Sequence, residues 1–313
     1  MDLNKRSGLI FMQQTLDSAA TISGIGLHSG AIVTMTLHPA VAGHGVVFVR
    51  KDITDRDNIV PARWDHVTNT RLCTLISNDA GVSIGTIEHL MAALRGCGVD
   101  NLLIEIDGPE VPVMDGSSVA FIEAIDRAGI RVQNASRRAI KILKEISVEQ
   151  DGKRVSLKPG VGSVFSGQID FAHPSIGSQS FATTLYNGNF RHDLASARTF
   201  GFADEVETMR KLGLARGGSL DNAILLDTST VLNKDGLRFE DEFIRHKLLD
   251  AVGDLFLAGA PIIGTYEGFK AGHALNNAIL HELFATPDAW MFVEEEAPMP
   301  IRAAQPQPVA LAV

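Results

Sequence analysis

Cysteine is scarce in these 313 residues, with Cys73 and Cys97 the only two. Two thiols cannot build the stapled framework of a small secreted domain, and neither belongs to a Cys-x-x-Cys ligand pair, so both are expected to be reduced. Long apolar runs are lacking too. No stretch approaches the roughly 20 residues of a membrane span. Residues 1–12 carry Lys5 and Arg6 but no apolar region or small-residue cleavage site of a secretory leader. A cytoplasmic chain with no transmembrane segment is expected. Nor is there a basic excess: the formal net charge of −9 argues against a nucleic-acid groove, which needs clustered lysine and arginine to neutralise phosphates. The glycines of Ser23-Gly24-Ile25-Gly26-Leu27-His28-Ser29-Gly30 also lack the spacing of a dinucleotide-binding turn. What is present is an ordinary globular balance, 45% hydrophobic and 21% charged. It is long enough for one large or two ordinary domains with a sizeable core.

Alternation of Ile32, Thr34 and Thr36 against Val33, Met35 and Leu37 predicts a strand over 31–37. Further strands are expected over 14–17, 46–49, 72–76 and 102–106. Thr86 is expected to cap a helix over 87–94 ended by Gly96 and Gly98, and a second helix over 117–128 ends at Gly129. Residues 133–138 read as a polar connector. The second half repeats this order: a hairpin about Asp151-Gly152, strands over 164–171, 181–185, 223–226 and 261–267, and helices over 203–212, 236–256 and 272–283. Strands followed by helices in each half predict an α+β fold of two similar layered domains, each a sheet packed on helices, with the site between them. The expected boundaries are 1–134 and 138–298, with a flexible tail over 299–313.

Within 237–256, Phe243, Ile244, Leu248, Leu249, Val252, Leu255 and Phe256 recur at helical intervals. Beside them His246, Asp250 and Asp254 form a polar row, each one turn from the next. An imidazole and a carboxylate one turn apart can ligate one zinc ion at roughly 2 Å, provided a third ligand arrives from elsewhere. An ordinary helical pair, the carboxylate bonded to the histidine, is the alternative. His89, near the start of a helix in the first half, is the best candidate third ligand. Two histidines and one carboxylate leave a fourth position for water, the pattern of a catalytic rather than a structural zinc site. Glu88, immediately before it, is then suited to take a proton from a water whose pKa the metal lowers to about 7, although a glutamate at a helix start is favoured by the macrodipole in any case.

Ordered motifs run along nearly the whole chain: Gly26-Leu27-His28, Leu72-Cys73-Thr74, Thr86-Ile87-Glu88-His89-Leu90, Met114-Asp115-Gly116-Ser117 and Ala197-Arg198-Thr199-Phe200-Gly201-Phe202. They continue with Gly217-Gly218-Ser219, Gly236-Leu237-Arg238-Phe239-Glu240-Asp241-Glu242-Phe243, His246-Lys247-Leu248-Leu249-Asp250 and Gly272-His273-Ala274-Leu275-Asn276-Asn277. Together they resemble the zinc-dependent UDP-3-O-acyl-N-acetylglucosamine deacetylase family of bacterial lipid A biosynthesis. Residues 41–57 and those after Pro298 match least. The resemblance implies Zn2+, or alternatively Fe2+, on His89, His246 and Asp250, and Glu88 as the base. It implies His273 as the second catalytic residue, oriented by Asp254, and Thr199 and Lys247 against the reacting carbonyl. For the nucleotide sugar it implies Asp170 and Phe171 toward the uracil end, Lys153 and Lys270 near the diphosphate, and Phe200 as a further substrate-binding residue. Residues 202–217, with Val206, Met209, Leu212 and Leu214, are implied to form a passage for the acyl chain. The implied reaction releases acetate from UDP-3-O-acyl-N-acetylglucosamine, and a monomer is expected. Two other functions stand beside it: a zinc amidase acting on peptides or simple acylated sugars, and a non-catalytic nucleotide-sugar-binding module, for which an intact Glu88 and His273 have no use.

Overall fold

A computed structural model of the chain describes residues 11–186 and 188–295. The leader question at residues 1–10 and the tail expected over 299–313 lie outside the described residues. The first sheet is built from β1 (Ala20–Ile25), β2 (Ile32–Pro39), β3 (Val46–Arg50), β4 (Ile59–Pro61) and β5 (Leu102–Ile106). Its helices are α1 (Glu88–Cys97) and α2 (Val119–Ala128). The second half supplies β6 (Ile146–Gln150), β7 (Lys153–Lys158), β8 (Ser163–Asp170), β9 (Ser178–Thr184) and β10 (Ile262–Phe269), with α3 (Glu242–Phe256) and α4 (His273–Ala285).

The two halves share one topology. In the first, β1–β2 and β2–β5 are antiparallel, β5–β3 is parallel and β3–β4 is antiparallel. In the second, β6–β7 and β7–β10 are antiparallel, β10–β8 is parallel and β8–β9 is antiparallel. Each central strand, β5 or β10, follows one helix and precedes another. Strands Arg138–Ile142 and Trp290–Glu294 extend the second sheet to seven. The expected α+β class with two similar halves is therefore met.

Period-two alternation sends Val33, Met35 and Leu37 of β2 into the core, and α1 buries every residue from Glu88 to Leu94. A helix buried all round sits between other elements rather than on a surface. α1 packs on α2 and on α3, while α3 also packs on β8, β9 and α4. At the α1–α3 crossing, a Cβ on Gly253 would lie 2.0 Å from the Glu88 carbonyl oxygen. Only glycine permits this approach. The helices thus meet in the middle, and the first turn of α1 and the body of α3 carry the candidate residues of the two halves to one place.

Several local expectations are corrected. Ser23 and Ile25 belong to β1, where the Ser23 hydroxyl meets Thr34 Oγ1 at 2.8 Å, so the turn is confined to the glycines after them. The connector over 133–138 is largely strand: Ile130–Ser136 pairs antiparallel with Met12–Leu16, its polarity reflecting a two-stranded ribbon with an open face. In 72–76 only Leu75–Ser77 is strand, because Leu72 turns the chain with φ 68°. Thr86 does not cap α1. It lies at φ 56° with an unpartnered buried hydroxyl, and Ile87 takes the cap position. Gly96 is inside α1, the Phe190 ring filling the space a side chain would need. Cys73 and Cys97 are free thiols, as expected.

Candidate active site

The first turn of α1 presents Glu88 and His89, and α3 presents His246 and Asp250 one turn apart. All four are buried. Asp250 Oδ1 lies 3.4 Å from His246 Nε2 and 3.5 Å from His89 Nε2. That oxygen is buried without a hydrogen-bond partner, an expense that a protein interior seldom tolerates. Donors bound at roughly 2 Å in a tetrahedron stand about 3.3 Å apart, so the separations suit a cation better than direct hydrogen bonds. Among the described residues, His89, His246 and Asp250 form the one cluster whose ligand atoms converge in this way.

The protonation states agree with that use. Burial pushes the His246 imidazole down to about 3 despite the raising pull of Asp250. Its Nδ1–H donates to the Ala197 carbonyl at 3.1 Å, leaving the Nε2 lone pair free. Burial opposes ionisation of Asp250, but attraction from His246 and Lys247 wins, and its pKa falls well below the usual carboxylate range. Lys247 Nζ donates to Asp250 Oδ2 at 2.9 Å. The pair is therefore held as carboxylate and neutral imidazole, the forms that bind a metal.

Opposite this cluster stands a second group. Burial raises the Glu88 carboxyl above its ordinary range, against the lowering charges of His273 and His89. Glu88 Oε2 accepts the Thr74 N–H at 3.0 Å, and Oε1 lies 4.0 Å from His273 Nε2. His273 opens α4. Its Nδ1–H donates to Asp254 Oδ2 at 2.8 Å, which directs Nε2 toward Glu88. Burial alone would lower the His273 pKa, yet the Asp254 carboxylate raises it to about 9. Glu88 and His273 thus stand side by side within this group, a carboxyl and an imidazole of the kind that acid–base catalysis can use.

The remaining expected residues are held by separate contacts. Thr199 is tied by backbone to Gly116, and Phe200 packs edge-on against Phe243 and near His246. Lys247 Nζ lies 5.5 Å from the Phe200 ring centre. Phe171 meets Phe200 edge-on. Lys270 pairs with Asp170 at 2.8 Å, while Lys153 is exposed at the first position of β7, one strand away. A cavity of about 370 Å³ opens beside Thr199 and Phe200, lined also by Leu27, Leu72, Val206 and Met209. Helix Ala203–Lys211 forms one of its walls. Leu212 and Leu214 are not among its lining residues, and Leu212 is exposed. His28 lines this cavity too.

Other residues carried no assigned role in the sequence. Arg198 and Glu242 form a buried ion pair at 2.9 Å that fastens the Ala197–Thr199 segment to the start of α3. Asn276 Nδ2–H donates to Asp254 Oδ2 at 2.9 Å, and Asn276 Oδ1 accepts from the Tyr266 hydroxyl at 2.7 Å. Thr74 holds both Glu88 and Asp254. Asn276 had a readable signal, a polar residue one turn after His273 on the same helix face. Thr74 stood only in the Leu72-Cys73-Thr74 motif and had no periodic signal, since its partners are 14 and 180 residues away.

The family model for LpxC, UDP-3-O-acyl N-acetylglycosamine deacetylase, matches residues 13–285. The UDP-3-O-acyl-N-acetylglucosamine deacetylase of Phenylobacterium zucineum is 48% identical over 278 residues, covering 89% of this chain and 95% of that protein. The protein of the same name from Myxococcus xanthus is 48% identical over 283 residues, 90% of each chain. That from Haemophilus influenzae is 47% identical over 286 residues, 91% of this chain and 93% of its own. A match over this extent establishes membership: the chain belongs to the UDP-3-O-acyl N-acetylglycosamine deacetylase family.

Proposed function

We propose that the protein hydrolyses the N-acetyl amide of UDP-3-O-acyl-N-acetylglucosamine, releasing acetate and a free amine, as a step of lipid A biosynthesis. The observation that carries this is the buried, unpartnered Asp250 Oδ1 between two imidazole Nε2 atoms, facing the Glu88–His273 pair. His89, His246 and Asp250 are assigned as the ligands of a single zinc ion, with ferrous iron the alternative. When bound, the metal supplies a Lewis acid for the amide carbonyl and lowers the pKa of the attacking water to about 7.

The rest of the chemistry belongs to the chain. Glu88, with Oε2 held by Thr74, uses Oε1 to accept the proton of the attacking water. His273 is protonated at neutral pH, its pKa standing near 9. Its Nε2–H stabilises the negative charge developing on the carbonyl oxygen and is placed to protonate the leaving nitrogen, which is too basic to depart as an anion. Asp254 keeps the ring in the tautomer this requires. The Thr199 hydroxyl and the Lys247 ammonium are assigned to the same oxyanion, the first as donor and the second as a nearby charge. Asp170 and Phe171 are assigned to the uridine end, Lys153 and Lys270 to the diphosphate and Phe200 to the substrate beside the cavity, with the acyl chain in that cavity beside Val206 and Met209. Domains over 1–134 and 138–298 divide the work: the first brings base and one ligand, the second brings two ligands, the acid and the substrate contacts. No helix among the described residues is long and apolar enough to cross a membrane, and a cytoplasmic monomer fits this assignment.

A panel of amides tests the function. Acetate release from the acylated nucleotide sugar should exceed release from acetylated peptides and from N-acetylglucosamine by orders of magnitude. Equal turnover of the simple amides would point to a general zinc amidase, and tight nucleotide-sugar binding without turnover to a binding module.

A further inference from the structure

The bend at 72–74 holds a group that neither the ligand set nor the acid–base pair accounts for. Leu72 lies in the left-handed region at φ 68°, a conformation that is uncommon outside glycine. Two residues on, Thr74 is 2% exposed. Its backbone N–H donates to Glu88 Oε2 at 3.0 Å, and its hydroxyl donates to Asp254 Oδ1 at 2.5 Å while lying 3.2 Å from His273 Nδ1. The other Asp254 oxygen accepts from His273 and Asn276. Among the described residues, Thr74 alone is hydrogen-bonded to Glu88 on one side and to the Asp254–His273 pair on the other.

We propose that Thr74 is a positioning residue for the amide hydrolysis, its two hydrogen bonds setting the base and the acid in one rigid frame; this rests on the deacetylase function proposed above. The physical reason lies in the freedom that each bond removes. A carboxylate held at one oxygen only can turn about its terminal torsion, which is soft. With Oδ1 held by Thr74 and Oδ2 by Asn276, Asp254 cannot turn, so the imidazole it holds keeps Nε2 aimed at Glu88. The Thr74 N–H fixes Glu88 in the same way and leaves Oε1 for the proton. Loss of the hydroxyl leaves Asp254 Oδ1 buried and unpaired, and misplacement of a reacting group by 1 Å costs about a hundredfold in rate.

Thr74→Val removes the hydroxyl and keeps the shape and the backbone N–H. It should lower kcat by roughly 10- to 100-fold, the effect of one hydrogen bond to a charged group. KM should stay within about twofold, because the hydroxyl is assigned no ground-state contact with substrate. Zinc per chain should be unchanged. Thr74→Ser, which retains the donor, should recover kcat to within about threefold of the parent. In a His273→Ala background, Thr74→Val should add less than about a twofold loss, since a residue acting through His273 has nothing left to position. Parental kcat in Thr74→Val, a Ser variant as slow as the Val variant, or an undiminished loss in the His273→Ala background would each overturn the positioning role. Should the Val protein not fold, Thr74→Ala compared with Thr74→Ser makes the same measurement. Acetate release by the parent and its loss in His273→Ala test the deacetylase function separately, so a silent Thr74→Val in an active enzyme would reject the positioning role alone.

Discussion

Glu88 has one oxygen engaged by the Thr74 N–H and the other turned toward His273, so its role can be isolated by a change that keeps its shape. Glu88→Gln should retain zinc and lose turnover by about a hundred- to ten-thousandfold, the usual worth of general-base assistance. Acetate release at saturating substrate, alongside metal analysis, checks this; a loss under about tenfold would place the base elsewhere. His273 offers a pH test. Its pKa is raised to about 9, so its protonated form is present at neutral pH and is lost as pH rises. The log of kcat/KM should therefore fall at high pH, at or below about 9 because a bound cation and Lys247 oppose the imidazolium. Asp254→Asn removes the raising charge, and the falling limb should move to lower pH. An unmoved limb would assign that ionisation to another group.

At the scale of elements, the site depends on how closely α1 and α3 approach. A Cβ at Gly253 would lie 2.0 Å from the Glu88 carbonyl oxygen, so Gly253→Ala must separate the helices and with them the ligands of the two halves. Overpacking of this kind costs roughly 1–3 kcal/mol; denaturant unfolding should show that loss, and zinc affinity should drop as well. Unchanged affinity would mean that the helices yield without moving His89 from His246. Most of these elements were legible in the sequence. The apolar spacing of α3 and the Asp151-Gly152 turn depend on local rules, and both are met, although α3 starts at Glu242 and residues 236–241, expected within it, are not helical. Leu72 and Thr86 were misread because both take φ values above +50°. Local propensity assigns such conformations to glycine.

Across the whole molecule, two halves of equal topology each contribute a helix before the central strand, and the candidate metal cluster joins the two. The one-turn spacing of His246 and Asp250 was visible on a single helix. The pairing with His89 was inferred from ligand chemistry, and the resemblance supported it. What sequence could not carry were the contacts between distant segments: Arg198 with Glu242, Asn276 with Asp254, and Thr74 with both Glu88 and Asp254. Each joins polar residues whose separation follows no period. In the proposed function, one metal ion shared by the two halves makes this chain a deacetylase. Metal-stripped protein titrated with zinc, with acetate release from UDP-3-O-acyl-N-acetylglucosamine followed at each addition, tests it most directly. Activity should rise linearly to a break at one zinc per chain, and His246→Ala should show neither the break nor the activity. Full acetate release by the stripped protein, or a parental titration by His246→Ala, would contradict it.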